Sequence, residues 1–482
     1  MIFNIKAQHL ENGDTQTFIY DNETNTLQTE AGSVFEFPEA TGGKDLKIGL
    51  PHSNKFSKVK PLKKSKLITT VKIQMGLSCN YACDYCSQKF VERPKETSKK
   101  DIDAFMKLFS NLEFSSTRPV KIEFWGGEPF VYWKTFKPLA ETIQKYFTEK
   151  NIKFIFGVIS NGSLLTDDIC DWLYDMGFSI SISHDGPGQH VRGPDPFEDE
   201  QIKNTVLKFY KRMRPEGRIS FNSMLNSKNH SRKEIHSWFV NFTGDPNVSL
   251  GEGGFVDAYD DDGLNNSLIS TADKFKFRKK ALTDILETNG DIGFNSIINK
   301  IDSFTTSVLS HSRSKYLPQK CGMDLEEVIA IDLRGNVITC QNVSALETGP
   351  NGESHFGGNI EDIDAVEIKT ATHWSNRKEC PSCPVLHICQ GSCMFLDGKY
   401  WEASCDNAFS DAIPLFALSF KAITGYIPVL IDNKELPLDR QDIWGTIYHH
   451  EEKPKKKIIP IKSVAPEKKM VVNGIEVFEQ AK

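Results

Sequence analysis

The sequence predicts an α/β protein built around an open, partial (β/α)6 barrel, with a small β-rich appendage before it and a cysteine-rich domain after it. Three features carry that expectation. Between about residues 67 and 260, short apolar runs alternate with longer amphipathic stretches, the rhythm of strands followed by helices. Residues 1–66 lack this rhythm and read as strands, turns and a basic linker. Seven of the eleven cysteines fall within 316–410. At 482 residues the chain is long enough for two or three domains.

Met1 to Ile5 alternates in polarity, and Thr17–Tyr20 runs into Asp21-Asn22-Glu23-Thr24-Asn25, a turn-rich hairpin signal. The linker spans Lys55 to Lys66, with Pro61 inside it. Strands are expected at Leu67–Gln74, Val120–Phe124, Phe154–Ser160, Ser179–Ser183, Arg218–Met224 and Val248–Leu250. Amphipathic helices are expected at Lys100–Leu112, Phe136–Lys150 and Asp167–Met176. Strands alternating with helices give a parallel sheet with right-handed crossovers. The functional loops of such barrels lie at the C-terminal ends of the strands. Residues 261–315 read as a helical connector, and 316–410 as the cysteine-rich domain. In the latter, Ile331–Val337 is a hairpin with its turn at Arg334-Gly335-Asn336. Residues 411–449 carry an apolar helix at Ala412–Tyr426, and 450–482 read as a flexible basic tail around Lys453-Pro454-Lys455-Lys456-Lys457.

A net charge of -6 and a pI near 6.1 give no footprint for nucleic acid. There is no signal-type N-terminus and no run of about 18 apolar residues, so neither export nor a membrane partner is expected. Eleven cysteines in such a chain point to metal ligation in a reducing, cytoplasmic setting rather than to disulfides.

Cys79, Cys83 and Cys86 form a C-x3-C-x2-C triplet with Tyr85 before the last thiol. Three thiolates are one fewer than a closed tetrahedral site or a cubane cluster requires. A zinc knuckle completed by a distant ligand, or reduced buried thiols, would also fit the spacing. After the second expected strand comes Gly126-Gly127-Glu128-Pro129. Its glycines allow close backbone approach to a ligand, and its carboxylate can face a cation. After the third comes Ser160-Asn161-Gly162, whose small polar groups suit hydrogen bonds to hydroxyls or carboxylates. After the fourth comes Ser183-His184-Asp185-Gly186-Pro187, followed by Arg192.

Together these motifs resemble the radical S-adenosylmethionine (SAM) enzymes. The resemblance implies a [4Fe–4S] cluster on Cys79, Cys83 and Cys86, with its open iron chelating SAM. It implies that Gly126, Gly127 and Glu128 hold the SAM amino group. Tyr85, Ser160 and Asn161 become further cofactor contacts, and Ser183 and Arg192 contacts to the SAM carboxylate. Asp185 is a candidate catalytic proton acceptor, or else a turn-forming acid. Many peptide-modifying relatives carry a winged helix before the barrel. The helices it would need are not evident here.

The remaining cysteines read C-x13-G-x4-C, gap, C-x2-C-x5-C-x3-C, gap, C. This resembles the seven-cysteine SPASM extension of peptide and protein maturases such as the anaerobic sulfatase maturases. By that resemblance Cys380, Cys383, Cys389 and Cys405 fully ligate one auxiliary [4Fe–4S] cluster. Cys321, Cys340 and Cys393 hold another, with an open or non-cysteine position. The last cysteine, Cys170, lies in an expected barrel helix and reads as a buried structural thiol. The expected activity is reductive SAM cleavage to a 5′-deoxyadenosyl radical, which takes hydrogen from a peptide or protein side chain. The product would be a thioether, C–C or C–O crosslink, or an oxidised residue. A flavodoxin- or ferredoxin-like donor would be a partner. Alternatives are a small-molecule radical oxidoreductase, sulfatase-type formylglycine formation, and a metal-bearing binding module without enzymatic activity.

Overall fold

The computed structural model describes residues 1–37, 56–57, 59–88, 102–251, 253–288, 292–349, 352–446, 470–472 and 475–477. Much of the expected tail, part of the linker, and Glu252 lie outside these residues. Residues 470–472 and 475–477, within that tail, pair as a short antiparallel hairpin.

The chain opens with an antiparallel meander of β1 (Ile2–His9), β2 (Thr15–Asp21) and β3 (Thr26–Thr29). Phe3, Ile5 and Ala7 alternate with more exposed neighbours along β1 and are fully buried, the period of two that a one-faced strand requires.

The barrel strands are β4 (Thr70–Gln74), β5 (Val120–Trp125), β6 (Phe154–Ser160), β7 (Ser179–Ser183) and β8 (Ile219–Asn222). Each is followed by a helix: α1 (Ile102–Phe109), α2 (Trp133–Glu149), α3 (Asp167–Asp175), α4 (Glu200–Met213) and α5 (Arg232–Thr243). All neighbouring pairs from β4 to β8 are parallel. Ile122, Phe124, Phe156, Ile180 and Ile182 are buried on the helix-covered face, where Phe124, Phe136, Phe156 and Phe178 form one aromatic cluster. The alternate positions carry Glu123, Gly157, Ser179, Ser181 and Ser220, all of them partly exposed. This interior is polar and open, unlike the packed centre of a complete barrel.

Two expected strands differ. Leu67–Gln74 divides at Thr69: Leu67–Ile68 pairs with Glu113–Phe114, and only Thr70–Gln74 enters the barrel. Val248–Leu250 forms no strand. Leu250 makes single bridges to Phe221 and Phe294, and Phe255 makes another to Leu225. The barrel thus has five strands, with isolated bridges in place of the sixth.

Beyond it, α6 (Thr271–Glu287) and α7 (Asn295–Leu309) form the connector. Strands β9 (Val328–Asp332), β10 (Asn336–Ile338) and β11 (Phe356–Asn359) follow, with the β9–β10 hairpin turning at Gly335, where φ is 77°. β9 pairs in parallel with β4, so the cysteine-rich region extends the barrel into an eight-stranded sheet of order β8-β7-β6-β5-β4-β9-β10-β11. Helix α8 (Gly398–Thr424) begins well before the expected Ala412. Strand β12 (Tyr426–Asp432) pairs with β1, placing strands from both ends of the chain in a four-stranded sheet of order β12-β1-β2-β3. Phe18 and Tyr20 pack that sheet on Phe420 and Phe416 of α8. No helix among the described residues is long and apolar enough to cross a membrane.

Candidate active site

The loop carrying Cys79, Cys83 and Cys86 leaves the C-terminal end of β4, and three glycines set its position. Gly127 N donates to Gly76 O at 3.1 Å and Glu128 N donates to Ser78 O at 3.1 Å, so the exits of β4 and β5 touch backbone to backbone. A Cβ on Gly126 would lie 2.4 Å from Gly76 O, and one on Gly127 would lie 2.3 Å from Ser78 O. Within the loop Cys86 N donates to Cys83 O at 3.1 Å. Tyr81 N and Gln88 N donate to the sulfurs of Cys79 and Cys86, each at 3.4 Å.

The three cysteines and all eight residues nominated for cofactor contact line one cavity of about 410 Å³. Local geometry refines several of their roles. Glu128 is 1 % exposed and already accepts from Phe130 N (3.1 Å), Ser160 Oγ (2.9 Å) and Asn161 N (2.7 Å). It therefore ties the loop after β6 to the loop after β5. Burial pushes its carboxyl up to about 6, although those three donors pull it down. Asn161 donates its amide to Asn80 Oδ1 at 2.9 Å and so steadies the cysteine loop.

Asp185 does not line the cavity. It is fully buried, with Oδ2 accepting from Tyr85 Oη, and Oδ1 accepting from Arg192 Nη1 (3.4 Å) and Met224 N (2.9 Å). Both carboxylate oxygens of Asp185, expected as a catalytic acceptor, are committed to protein donors. Arg192 Nη1 also donates to Tyr85 Oη at 3.0 Å, while its buried Nε has no hydrogen-bond partner among the described residues. An unsatisfied guanidinium donor on a cavity-lining residue suits a carboxylate ligand. His184, next to Asp185, is stacked between Phe197 and Trp238 and bonded to Asp195 at 3.0 Å. It braces the loop that presents Arg192.

The cavity is also lined by Asp257, Tyr259 and Asn342, which sequence reasoning missed. Asp257 Oδ1 accepts from Ser392 Oγ at 2.8 Å, Tyr259 is hydrogen-bonded to Cys393, and Asn342 N donates to Cys340 Sγ at 3.2 Å. Tyr259 and Asn342 thus connect the cavity to the thiols of Cys393 and Cys340, and Asp257 connects it to the neighbouring Ser392. The only signals in the sequence were a place just beyond the glycines at 251–254 and another two residues past Cys340.

Two groups are expected for the seven later cysteines. Burial pushes the Cys393 thiol up, and the charges of Asp257, Cys340 and Cys321 push it the same way. Cys380, Cys383, Cys389 and Cys405 line a second, small cavity. Burial pushes Cys383 up to about 12 and Cys389 up to about 11. None of the eleven cysteines is in a disulfide, and Cys170 is buried in α3 as expected. Among the described residues no three His, Cys, Asp or Glu converge on one ion position. Thiolates that bind separate irons of a cubane need no such convergence.

Comparison with known proteins agrees with this geometry. The model of the Radical SAM superfamily matches residues 73–236. The radical SAM cyclopropyl synthase TigE of Paramaledivibacter caminithermalis is 22% identical over 406 residues, covering 80% of this chain and 79% of its own. The serine-type anaerobic sulfatase-maturating enzyme of Klebsiella aerogenes is 22% identical, covering 66% of this chain and 78% of its own. In fold, the chain resembles native anSMEcpe with bound AdoMet and Cp18Cys peptide, with a TM-score of 0.52 and 18% identity over 74% of this chain and 99% of that one.

Proposed function

Because the chain carries a radical SAM domain at residues 73–236 and is an enzyme, we propose that it is a maturase that cleaves SAM reductively and takes hydrogen from a side chain of a peptide or protein. The product is a thioether, C–C or C–O crosslink, or an oxidised residue. The observation that carries this reading is the single cavity shared by three thiols, the paired glycines, and a buried arginine with an unpartnered donor. When bound, the SAM-ligated [4Fe–4S] cluster supplies the one-electron chemistry that generates a carbon radical able to break an unactivated C–H bond. Cys79, Cys83 and Cys86 supply its three thiolates. Arg192 suits the SAM carboxylate, and Glu128 its amino group; Asp185 and Tyr85 hold Arg192 in place.

One relative is a cyclopropyl synthase and another a sulfatase-maturating enzyme, which supports a protein or peptide side chain as substrate. The groups of four and three later thiols suit two auxiliary [4Fe–4S] clusters. A flavodoxin- or ferredoxin-like donor in a reducing cytoplasm completes the proposal. Anaerobic reconstitution tests it. About twelve irons per chain, four for each cluster, and SAM cleavage are expected; bound zinc without iron would refute it. Coexpression with a peptide encoded beside this chain should change that peptide's mass. An unchanged mass with active SAM cleavage would count against the peptide substrate.

A pH dependence follows from Glu128. Its folded value of about 6 exceeds the ordinary 4.5, so by itself the group stabilises the fold below pH 4.5 and loses that contribution as pH rises through about 6. A cationic ligand has the opposite preference, since only the carboxylate attracts it. SAM affinity should therefore fall as pH drops below about 6, as measured by equilibrium dialysis. Glu128→Gln should weaken binding at pH 7 and flatten the profile. A variant with the wild-type profile would assign the dependence to another group.

A further inference from the structure

The group of four thiols is framed by both ends of the chain. At the end of β2, Asn22 is 1 % exposed, and its Nδ2 donates to Pro381 O (3.1 Å) and Cys383 O (2.8 Å). Its own carbonyl accepts from His387 Nε2 at 2.8 Å. From the other end comes Arg440, in the short helix Leu438–Gln441 that follows β12. It lines the same cavity as Cys380, Cys383, Cys389 and Cys405, and Nη2 donates to Cys405 Sγ at 3.3 Å. The guanidinium also donates to Asp406 Oδ1 at 2.8 Å and sits 4.7 Å from the centre of the Phe409 ring. β12 and β1 are neighbours in one sheet, so a single structural unit delivers both Asn22 and Arg440.

Resting on the reading of these four cysteines as a cluster site, we propose that Arg440 is a positioning residue that sets the reduction potential of the cluster they hold. Four thiolates around a [4Fe–4S] core leave a net negative site, and one-electron reduction makes it more negative still. A buried cation donating to a ligand sulfur stabilises the reduced form relative to the oxidised form and raises the potential. Asp406 opposes this from the far side of the guanidinium. The other arginine nearby, Arg377, directs Nη2 at the carbonyls of Cys393, Met394 and Leu396, and its guanidinium stacks 3.6 Å from the centre of the Trp401 ring. Of the two, Arg440 is the one that donates to a sulfur.

The test uses the full-length, anaerobically reconstituted protein and redox titration followed by electron paramagnetic resonance. Cys383→Ala identifies the signal of this site by its loss. If that variant keeps the wild-type iron content and spectrum, the cluster reading itself fails, independently of Arg440. Given the cluster, Arg440→Gln should retain iron and shift its potential negative by at least a tenfold change in the reduced-to-oxidised ratio, about 59 mV for one electron. Arg440→Lys should fall between, and Asp406→Asn should shift the potential positive. A purely structural contact would not produce opposite signs. Arg440→Gln with full iron and an unmoved potential overturns the proposal. Should Arg440→Gln shed the cluster, Asp406→Asn decides: a positive shift sustains the proposal, and no shift or a negative one overturns it.

Discussion

Asp185→Ala is expected to destabilise the fold by about 3–5 kcal/mol and to abolish SAM cleavage, because it removes one partner of a buried ion pair. The fully buried aspartate takes Tyr85 Oη on one oxygen and Arg192 Nη1 with Met224 N on the other. Alanine leaves a buried guanidinium, a phenol and a backbone amide to find new acceptors, and each unmet donor costs about 1–3 kcal/mol. The milder Asp185→Asn separates positioning from proton transfer. Asparagine retains one acceptor oxygen, so Arg192 loses charge pairing while keeping part of its framework. The expected result is a KM for SAM raised roughly tenfold with little change in kcat, as a shifted ground-state contact requires. A variant with unchanged KM and a collapsed kcat for substrate modification would restore Asp185 as a catalytic acid or base. Thermal unfolding of both variants measures the stability part directly.

Gly127→Ala should have the next largest effect. Its methyl would meet Ser78 O at 2.3 Å and Leu77 O at 2.6 Å, and both obstacles are backbone, which cannot swing aside as a side chain would. The exits of β4 and β5 must separate, breaking the bonds from Gly127 N to Gly76 O and from Glu128 N to Ser78 O. Overpacking of this kind costs about 1–3 kcal/mol. Its functional consequence is larger than its cost in stability, because Cys79 follows Ser78 directly. A displacement of the thiol loop near 1 Å relative to Arg192 and Glu128 should lower the rate of SAM cleavage about a hundredfold. Iron analysis of the reconstituted variant shows whether the cluster is lost or only misplaced. Wild-type rates in Gly127→Ala would mean that the close approach of the two turns has no part in catalysis.

The barrel was most legible where physics is local. Phe154–Ser160 and Ser179–Ser183 occur with the expected bounds, since alternating burial along a parallel strand writes itself into the sequence. Val248–Leu250 has the same apolar look, yet only Leu250 pairs, through single bridges to Phe221 and Phe294. Helix α8 begins well before the expected segment, as the cysteine-bearing residues before Ala412 already belong to it. The cysteine triplet, the glycine pair and Arg192 were legible because their spacing along the chain is itself part of the chemistry.

Asp185 marks the limit of that legibility. An acid after a strand reads the same whether it faces the cavity or backs the residues that do, and only packing places its oxygens on Tyr85 and Arg192. Tyr259 and Asp257 were missed for the same reason: nothing local links them to Cys393 and Ser392. The bond between Asn22 and Cys383 joins residues 361 positions apart, and the pairing of β1 with β12 is as remote. The sequence by itself determined the thiol sets, the strand-end loops and the family of chemistry, all properties of residue type and near spacing. The tertiary structure alone decided which carboxylate is committed to the framework and which residues adjoin each group of thiols. Those depend on long-range contacts whose partners leave no mark on one another's local sequence.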